Sequence, residues 1–216
     1  MATSLAKGLM GLGGVGSLAG GAYLAKPYIF PPKAKIEDKL EEDKWQVLNW
    51  EGNTNEWDSI YEKYKSKELT DPSRFDEKIA KGEDKSTGLT KLKESCKLAL
   101  TQEFKESLYR TVTKWCVVPV SAADRLIALG GYQKINVSES DTTTDEGTWK
   151  SRETEFKVKL QENNAYLGVN LPSTTGDQTA ENIKLLKKGC ETHMNKKNYE
   201  DDFEGSMEKV KRWCGK

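Results

Sequence analysis

All four cysteines of this 216-residue chain lie in two cassettes that read alike. Lys93-Glu94-Ser95-Cys96 leads to Val112-Thr113-Lys114-Trp115-Cys116, and further on Lys187-Lys188-Gly189-Cys190 leads to Val210-Lys211-Arg212-Trp213-Cys214. The likeness extends upstream. Asp38-Lys39-Leu40, then Trp45-Gln46-Val47-Leu48-Asn49, returns as Asp124-Arg125-Leu126, then Tyr132-Gln133-Lys134-Ile135-Asn136. Each copy then crosses a polar stretch to a tryptophan, Trp57 or Trp149. A chance Trp-Cys pair is cheap, but an ordered series is not, so the pattern predicts a tandem duplication. The expected division is 1–32, an N-terminal hydrophobic segment, then helical repeats over 33–118 and 119–216. A copy of that size has a marginal core by itself. Two stacked copies are fewer than repeat arrays normally need, so each calls for a partner or a covalent staple.

The apolar spacing is helical. Leu89, Leu92, Cys96 and Ala99 share one helix face, as do Ile183, Leu186, Cys190 and Met194. A second stripe carries Leu108, Val112, Trp115 and Cys116, matched by Met207, Val210, Trp213 and Cys214. The stripes are separated by TQEFKES (101–107) and by NYEDDFEGS (198–206), both rich in polar and turn-forming residues. An antiparallel hairpin broken at those points sets Cys96 beside Cys116 and Cys190 beside Cys214. Upstream, WDSIYEKYK from Trp57 and WKSRETEFKVKL from Trp149 are amphipathic segments, and Ser121-Ala122-Ala123-Asp124 reads as a capping box for a short helix ending at Gly130-Gly131. The expected fold is all-α, an N-terminal anchor followed by two tandem, sequence-related helical units, each with a Cys-linked hairpin.

Four cysteines permit three pairings. The hairpin geometry and the duplication favour pairing within each copy, worth roughly 3 kcal/mol per loop on the chain-entropy model. Reduced core cysteines are the alternative. Zinc needs clustered ligands, whereas these cysteines stand far apart and His193 is the only histidine. His193 follows Cys190 by three positions, but the matched position in the first copy is Ala99, which argues against a shared nucleophile and for a solvated histidine. Glu41-Glu42-Asp43 and Glu200-Asp201-Asp202 read as solvated faces or turns, without an EF-hand pattern. Trp50 has no counterpart in the second copy and is the aromatic expected to be an exposed contact; Asn136-Val137-Ser138 fits a glycosylation acceptor. No catalytic, cofactor-binding or metal residues emerge. The assigned sites are the four cysteines, Cys96, Cys116, Cys190 and Cys214.

Thirty-four basic residues balance thirty-four acidic ones, so the chain lacks the basic excess of a nucleic-acid binder. With 31% charged residues and a mean hydropathy of −0.75, little apolar material remains for a core. That suits an oxidising compartment in which disulfides supplement a thin interior. Residues 8–25, GLMGLGGVGSLAGGAYLA, are uncharged and reach the lower limit for a membrane span. Tyr23, Tyr28 and Phe30 stand where aromatic belts occur, and a Gly16-xxx-Gly20 spacing permits close helix pairing. A signal anchor is the favoured reading, with a cleaved signal peptide at Ser17-Leu18-Ala19 and a disordered arm as rivals. Lys26, Lys33 and Lys35 after the segment favour an internal body, the cysteine pattern an external one. Gly11-Leu12-Gly13-Gly14-Val15-Gly16 spells a dinucleotide fingerprint, but Pro27 and Pro31-Pro32 occupy the place of the required helix and strand.

Together, the Gly- and Ala-rich N-terminal segment, the polar body and the motifs Lys114-Trp115-Cys116 and Arg212-Trp213-Cys214 resemble the paralogous protein families of haemotropic mycoplasmas. The resemblance covers essentially the whole chain and brings no catalytic residues with it. It implies a surface-exposed, expanded family concerned with host attachment or antigenic variation. The expected function is therefore a membrane-anchored, surface-displayed helical repeat protein with a binding or antigenic role and no catalytic activity. Its expected partners are the membrane, through the N-terminal segment, and a host or neighbouring surface protein; no nucleic acid and no small-molecule cofactor is expected. The alternative is an anchored structural or assembly module facing the cell interior, with reduced cysteines.

Overall fold

Helical periodicity punctuated by capping residues gives nine α-helices and no strand among the described residues. A computed structural model describes residues 33–75, 79–80, 82–173 and 178–216. The anchor expected over 1–32 lies outside the described residues, and no helix within those described is long and apolar enough to cross a membrane. The helices are α1 (Ile36–Glu42), α2 (Thr54–Ser66), α3 (Lys85–Leu100), α4 (Glu106–Trp115), α5 (Ala122–Leu129), α6 (Glu146–Val158), α7 (Leu160–Leu167), α8 (Thr179–Met194) and α9 (Phe203–Trp213).

Their starts and stops follow from local chemistry. Asp84 opens α3 by accepting a hydrogen bond from the Thr87 amide at 3.0 Å, and Ser121 opens α5 by accepting from the Asp124 amide at 3.1 Å. Gly130 ends α5 with φ +89°, a conformation that side chains with a Cβ rarely adopt. Buried side chains form two clusters, one running from Ile36 to Val117 and the other from Ala122 to Cys214. Trp57 and Trp115 anchor the first, Trp149 and Trp213 the second, all almost wholly buried. At about 25 cal/mol per Å² and roughly 200 Å² per ring system, each contributes on the order of 5 kcal/mol before entropy is counted.

The same contacts are made in both halves. Trp57 Nε1 donates to the Asn49 carbonyl and Trp149 Nε1 to the Asn136 carbonyl, both at 2.9 Å. Asn53 and Asp145 precede α2 and α6 in the left-handed region, accepting from the amides of Asn49 at 3.0 Å and Asn136 at 2.8 Å. Where each half begins, the Ile36 amide bonds the Gln102 carbonyl at 3.0 Å, and the Ala122 amide the Lys196 carbonyl at 2.9 Å. Where each half ends, the Val118 amide bonds the Gln46 carbonyl at 2.8 Å, and the Lys216 amide the Gln133 carbonyl at 2.9 Å. Tyr64 meets Trp115 edge-on at 5.1 Å, and Phe156 meets Trp213 at 4.9 Å.

Two features depart from the sequence reading. The breaks between hairpin helices are shorter than TQEFKES and NYEDDFEGS, because α4 already starts at Glu106 and α9 at Phe203. An acidic residue in each first turn, Glu106 and Glu204, complements the helix dipole there. The segment from Trp149 also breaks at Lys159 (φ −129°, ψ 54°) into α6 and α7. Buried Asn163 bridges the break by donating to the Phe156 carbonyl at 2.8 Å, and buried Asn164 ties α7 to Leu171 through two bonds of 2.9 and 3.0 Å. In the first half no helix follows α2 until α3 among the described residues. There buried Arg74 covers the open end of α2, donating to the Tyr64 carbonyl at 3.0 Å with its guanidinium 4.4 Å from the Tyr64 ring centre.

Candidate functional site

The hairpins place the assigned residues in two buried pairs. Cys96 and Cys116 join α3 to the end of α4 with Cα atoms 5.6 Å apart, and Cys190 and Cys214 join α8 to the end of α9 at 5.5 Å. All four side chains are fully buried, so they staple the halves and present nothing to solvent.

A concavity of about 730 Å³ opens where the halves meet. One wall is α4 with Trp45; the other is the start of α9 with α5 and the preceding loop. Asn198 forms its floor. Its Oδ1 accepts from the Val120 amide at 2.9 Å and its Nδ2 donates to the Thr113 carbonyl at 2.8 Å, so one buried side chain ties α4, the 117–121 connection and the α8–α9 loop together. On the rim, Lys67 and Lys114 both reach Asp201, Lys114 at 3.1 Å. The Lys67 hydrogen bond chiefly holds the Asp201 carboxyl down to about 2, against some burial and with help from Lys114. Arg110 pairs with Glu106 at 2.8 Å and lies 3.8 Å from Glu204 across the opening.

Deeper in the wall, Arg125 is 5% exposed. Its guanidinium lies over Trp45, 3.8 Å from the ring centre, a favourable cation–π placement. Its Nη1 donates to the Lys44 carbonyl at 3.3 Å. Burial lowers its pKa, although the fields of Tyr109 and Asp43 act the other way. Asp43 itself is engaged elsewhere: it accepts from the Tyr109 hydroxyl and pairs with Lys39 at 3.2 Å. Burial alone raises the Asp43 carboxyl, but these two partners, with the field of Arg125, more than offset it and leave it below the ordinary carboxylate range. Burial, then the bond to Asp43, drives the Tyr109 phenol well above its usual pKa.

Three residues sit otherwise than the sequence suggested. His193 is half-buried and bonded on both nitrogens, with Nδ1 3.0 Å from Ser206 Oγ and Nε2 3.1 Å from the Leu167 carbonyl. Because a carbonyl only accepts, Nε2 carries the proton and Nδ1 accepts from Ser206. That pairing has the parts of an activated nucleophile, but Ser206 has no exposed surface, and the pair instead locks α8, α9 and the end of α7. Trp50 is half-buried against Trp57, ring centres 5.8 Å apart, with Lys97 5.4 Å from its centre; an exposed contact is not what it provides. Asn136, the glycosylation candidate, donates from Nδ2 to Asp141 at 2.6 Å and accepts from the Ser138 amide at 2.8 Å.

Among the described residues, no group of three or more His, Cys, Asp or Glu side chains is placed to hold a metal ion. Sequence reasoning passed over Arg125 and Asn198 as site residues and read Asp201 only as part of a solvated face or turn. The signal was present as mismatches between otherwise matched positions, with Lys39 standing opposite Arg125 and Phe104 opposite Asn198. Comparison with protein-family models, with curated proteins and with solved structures finds no match.

Proposed function

We propose that this chain is a membrane-anchored, surface-displayed protein made of two tandem, sequence-related helical units, which binds a host or neighbouring surface protein and carries out no catalysis. The observation that carries this reading is the pair of fully buried cystine bridges at matched positions, Cys96–Cys116 and Cys190–Cys214. Bridges of this kind persist in oxidising compartments and supplement cores that are thin in apolar residues. Tandem duplication is supported by the matched hydrogen bonds of Trp57 and Trp149 and of the two unit ends. A binding role is supported by the cleft between the halves, whose charged rim is held by mutual ion pairs instead of being poised for proton transfer. The anchor rests on the uncharged segment 8–25.

The decisive experiment blocks free thiols on intact cells before lysis and maps the cystine peptides without reduction. The same cells are treated with protease from outside. Recovery of both linkages together with external cleavage of the body is expected. Four blocked free thiols with a protected body overturn the surface reading and leave an anchored module facing the cell interior.

A further inference from the structure

Among the described residues, Arg125 is a buried cation without a contacting anion. A guanidinium carries five N–H donors, and its one hydrogen bond among those residues is the 3.3 Å contact to the Lys44 carbonyl. Burying a charge is costly unless an opposite charge and full hydrogen bonding offset the lost hydration. The acids around it are committed elsewhere. Asp43 is held by Tyr109 and Lys39, Glu106 and Glu204 by Arg110, and Asp202 by Lys209 at 2.9 Å. Glu200 accepts from the Lys197 amide at 2.7 Å. Trp45 restrains the guanidinium from one face, while Leu129, Phe203 and Met207 give the same cleft an apolar lining. Its volume, about 730 Å³, falls in the range of small-ligand sites.

We infer that the cleft between the halves binds a carboxylate carried on a compact apolar body, with Arg125 as the anion-recognising residue, Trp45 holding it in place, and Leu129, Phe203 and Met207 receiving the apolar part. A carboxylate matches the planar fork of an arginine bidentately. It also adds a contacting counter-charge, where Asp43 acts on Arg125 only through its field. The same chemistry is offered by a free aromatic acid and by the C-terminus of a peptide ending in an apolar residue. This inference deepens the binding role proposed above and rests on it.

The test uses the purified, fully oxidised chain titrated by calorimetry with 3-phenylpropionate and with N-acetyl-Leu-Phe bearing a free carboxylate, each beside its neutral amide. Saturable binding is expected for the acids, at least about tenfold weaker for the amides, with Arg125→Gln losing that preference and Arg125→Lys keeping part of it. Tighter binding of the dipeptide assigns the site to a chain terminus; tighter binding of phenylpropionate assigns it to a free acid. Equal binding of acid and amide, or no saturation by about 10 mM of either acid, overturns the inference. Should Arg125→Gln fail to fold, the acid-against-amide comparison on the native chain still decides. A null titration on protein whose cystines are intact refutes the carboxylate site alone, because surface display is read separately from thiols and protease on cells.

Discussion

Gly88 of α3 packs against Tyr61 of α2, and replacing it with alanine measures how tightly that contact is set. A Cβ at Gly88 lands on the Tyr61 hydroxyl, with Tyr61 Cζ at 2.7 Å and Cε2 at 2.9 Å, where carbon atoms ordinarily sit about 3.5–4.0 Å apart. Tyr61 has no exposed surface into which its ring can swing, so the helices must separate by roughly 1 Å or the ring must leave its rotamer. Overpacking of this kind costs about 1–3 kcal/mol, and the helix-propensity gain of alanine over glycine returns no more than about 1 kcal/mol. Gly88→Ala is therefore expected to destabilise the fold by about 2 kcal/mol. Tyr61→Phe removes the atom most overlapped, and that hydroxyl has no hydrogen-bond partner among the described residues. By itself the change is expected to be neutral or to stabilise by up to about 1 kcal/mol. Combined, the two should recover on the order of 1 kcal/mol relative to additivity and not the whole loss, since the ring carbons still crowd the new methyl. Urea titrations with an unchanged slope give the four stabilities of the cycle. Additivity within about 0.5 kcal/mol, or an alanine variant as stable as the native chain, refutes the packing argument.

Three further outcomes follow from other contacts. Asn198→Ala removes two buried side-chain hydrogen bonds, of 2.9 and 2.8 Å, and strands two backbone groups; a loss of about 2–4 kcal/mol is expected in urea midpoints, with both cystines still formed on non-reducing maps. Because the bridges span 20 and 24 residues, Cys96→Ser/Cys116→Ser and Cys190→Ser/Cys214→Ser should each cost about 3 kcal/mol, and the two losses should differ by less than about 0.5 kcal/mol. Burial chiefly holds the His193 pKa below its ordinary 6.5, although the Leu167 carbonyl acts the other way. A base whose folded pKa is depressed adds stability above its unfolded pKa. That stability is lost as the pH falls from about 6.5 through the lower folded value, because the unfolded chain takes the proton first. Urea midpoints measured from about pH 7.5 down to 5 should decline more steeply for the native chain than for His193→Gln, and parallel profiles refute the assignment.

The helices and the cysteine partners were legible because each leaves a periodic mark. Cys96 and Val112 fall on apolar stripes at helical spacing, and both are fully buried; the residue that opens α5, Ser121, begins a four-residue cap signature ending at Asp124. What the sequence hid were features set by tertiary contact. The break at Lys159 has no proline or glycine to announce it and depends on Asn163 reaching the Phe156 carbonyl. His193 reads as a polar surface residue until α7 is seen to bring Leu167 against it. Trp50 lacks a counterpart in the second half, yet its place is fixed by Trp57, which does not.

The cleft shows why a sequence that says something twice conceals its own junction. Contacts within a half occur twice, so repetition marks them, as with the indole bonds of Trp57 and Trp149. Contacts between halves occur once, and the residues making them differ from those at the matching positions. Lys39, opposite Arg125, pairs with Glu42 at 3.0 Å and with Asp43 at 3.2 Å, whereas Arg125 is drawn inward over Trp45 with no carboxylate in contact. Phe104, opposite Asn198, remains 37% exposed and leans on Tyr109, whereas Asn198 is buried and bonded to α4 and to the 117–121 connection through side chain and backbone. Where the core pairs diverge, they do so jointly: Tyr61 over Gly88 becomes Glu153 accepting from Asn182 at 2.7 Å, a large-and-small pair exchanged for a hydrogen-bonded one. Arg125 feels the field of Asp43, but that acid bonds Tyr109 and Lys39, and no carboxylate contacts Arg125 among the described residues. A buried charge that meets no contacting partner there is the position at which a partner from outside is to be sought.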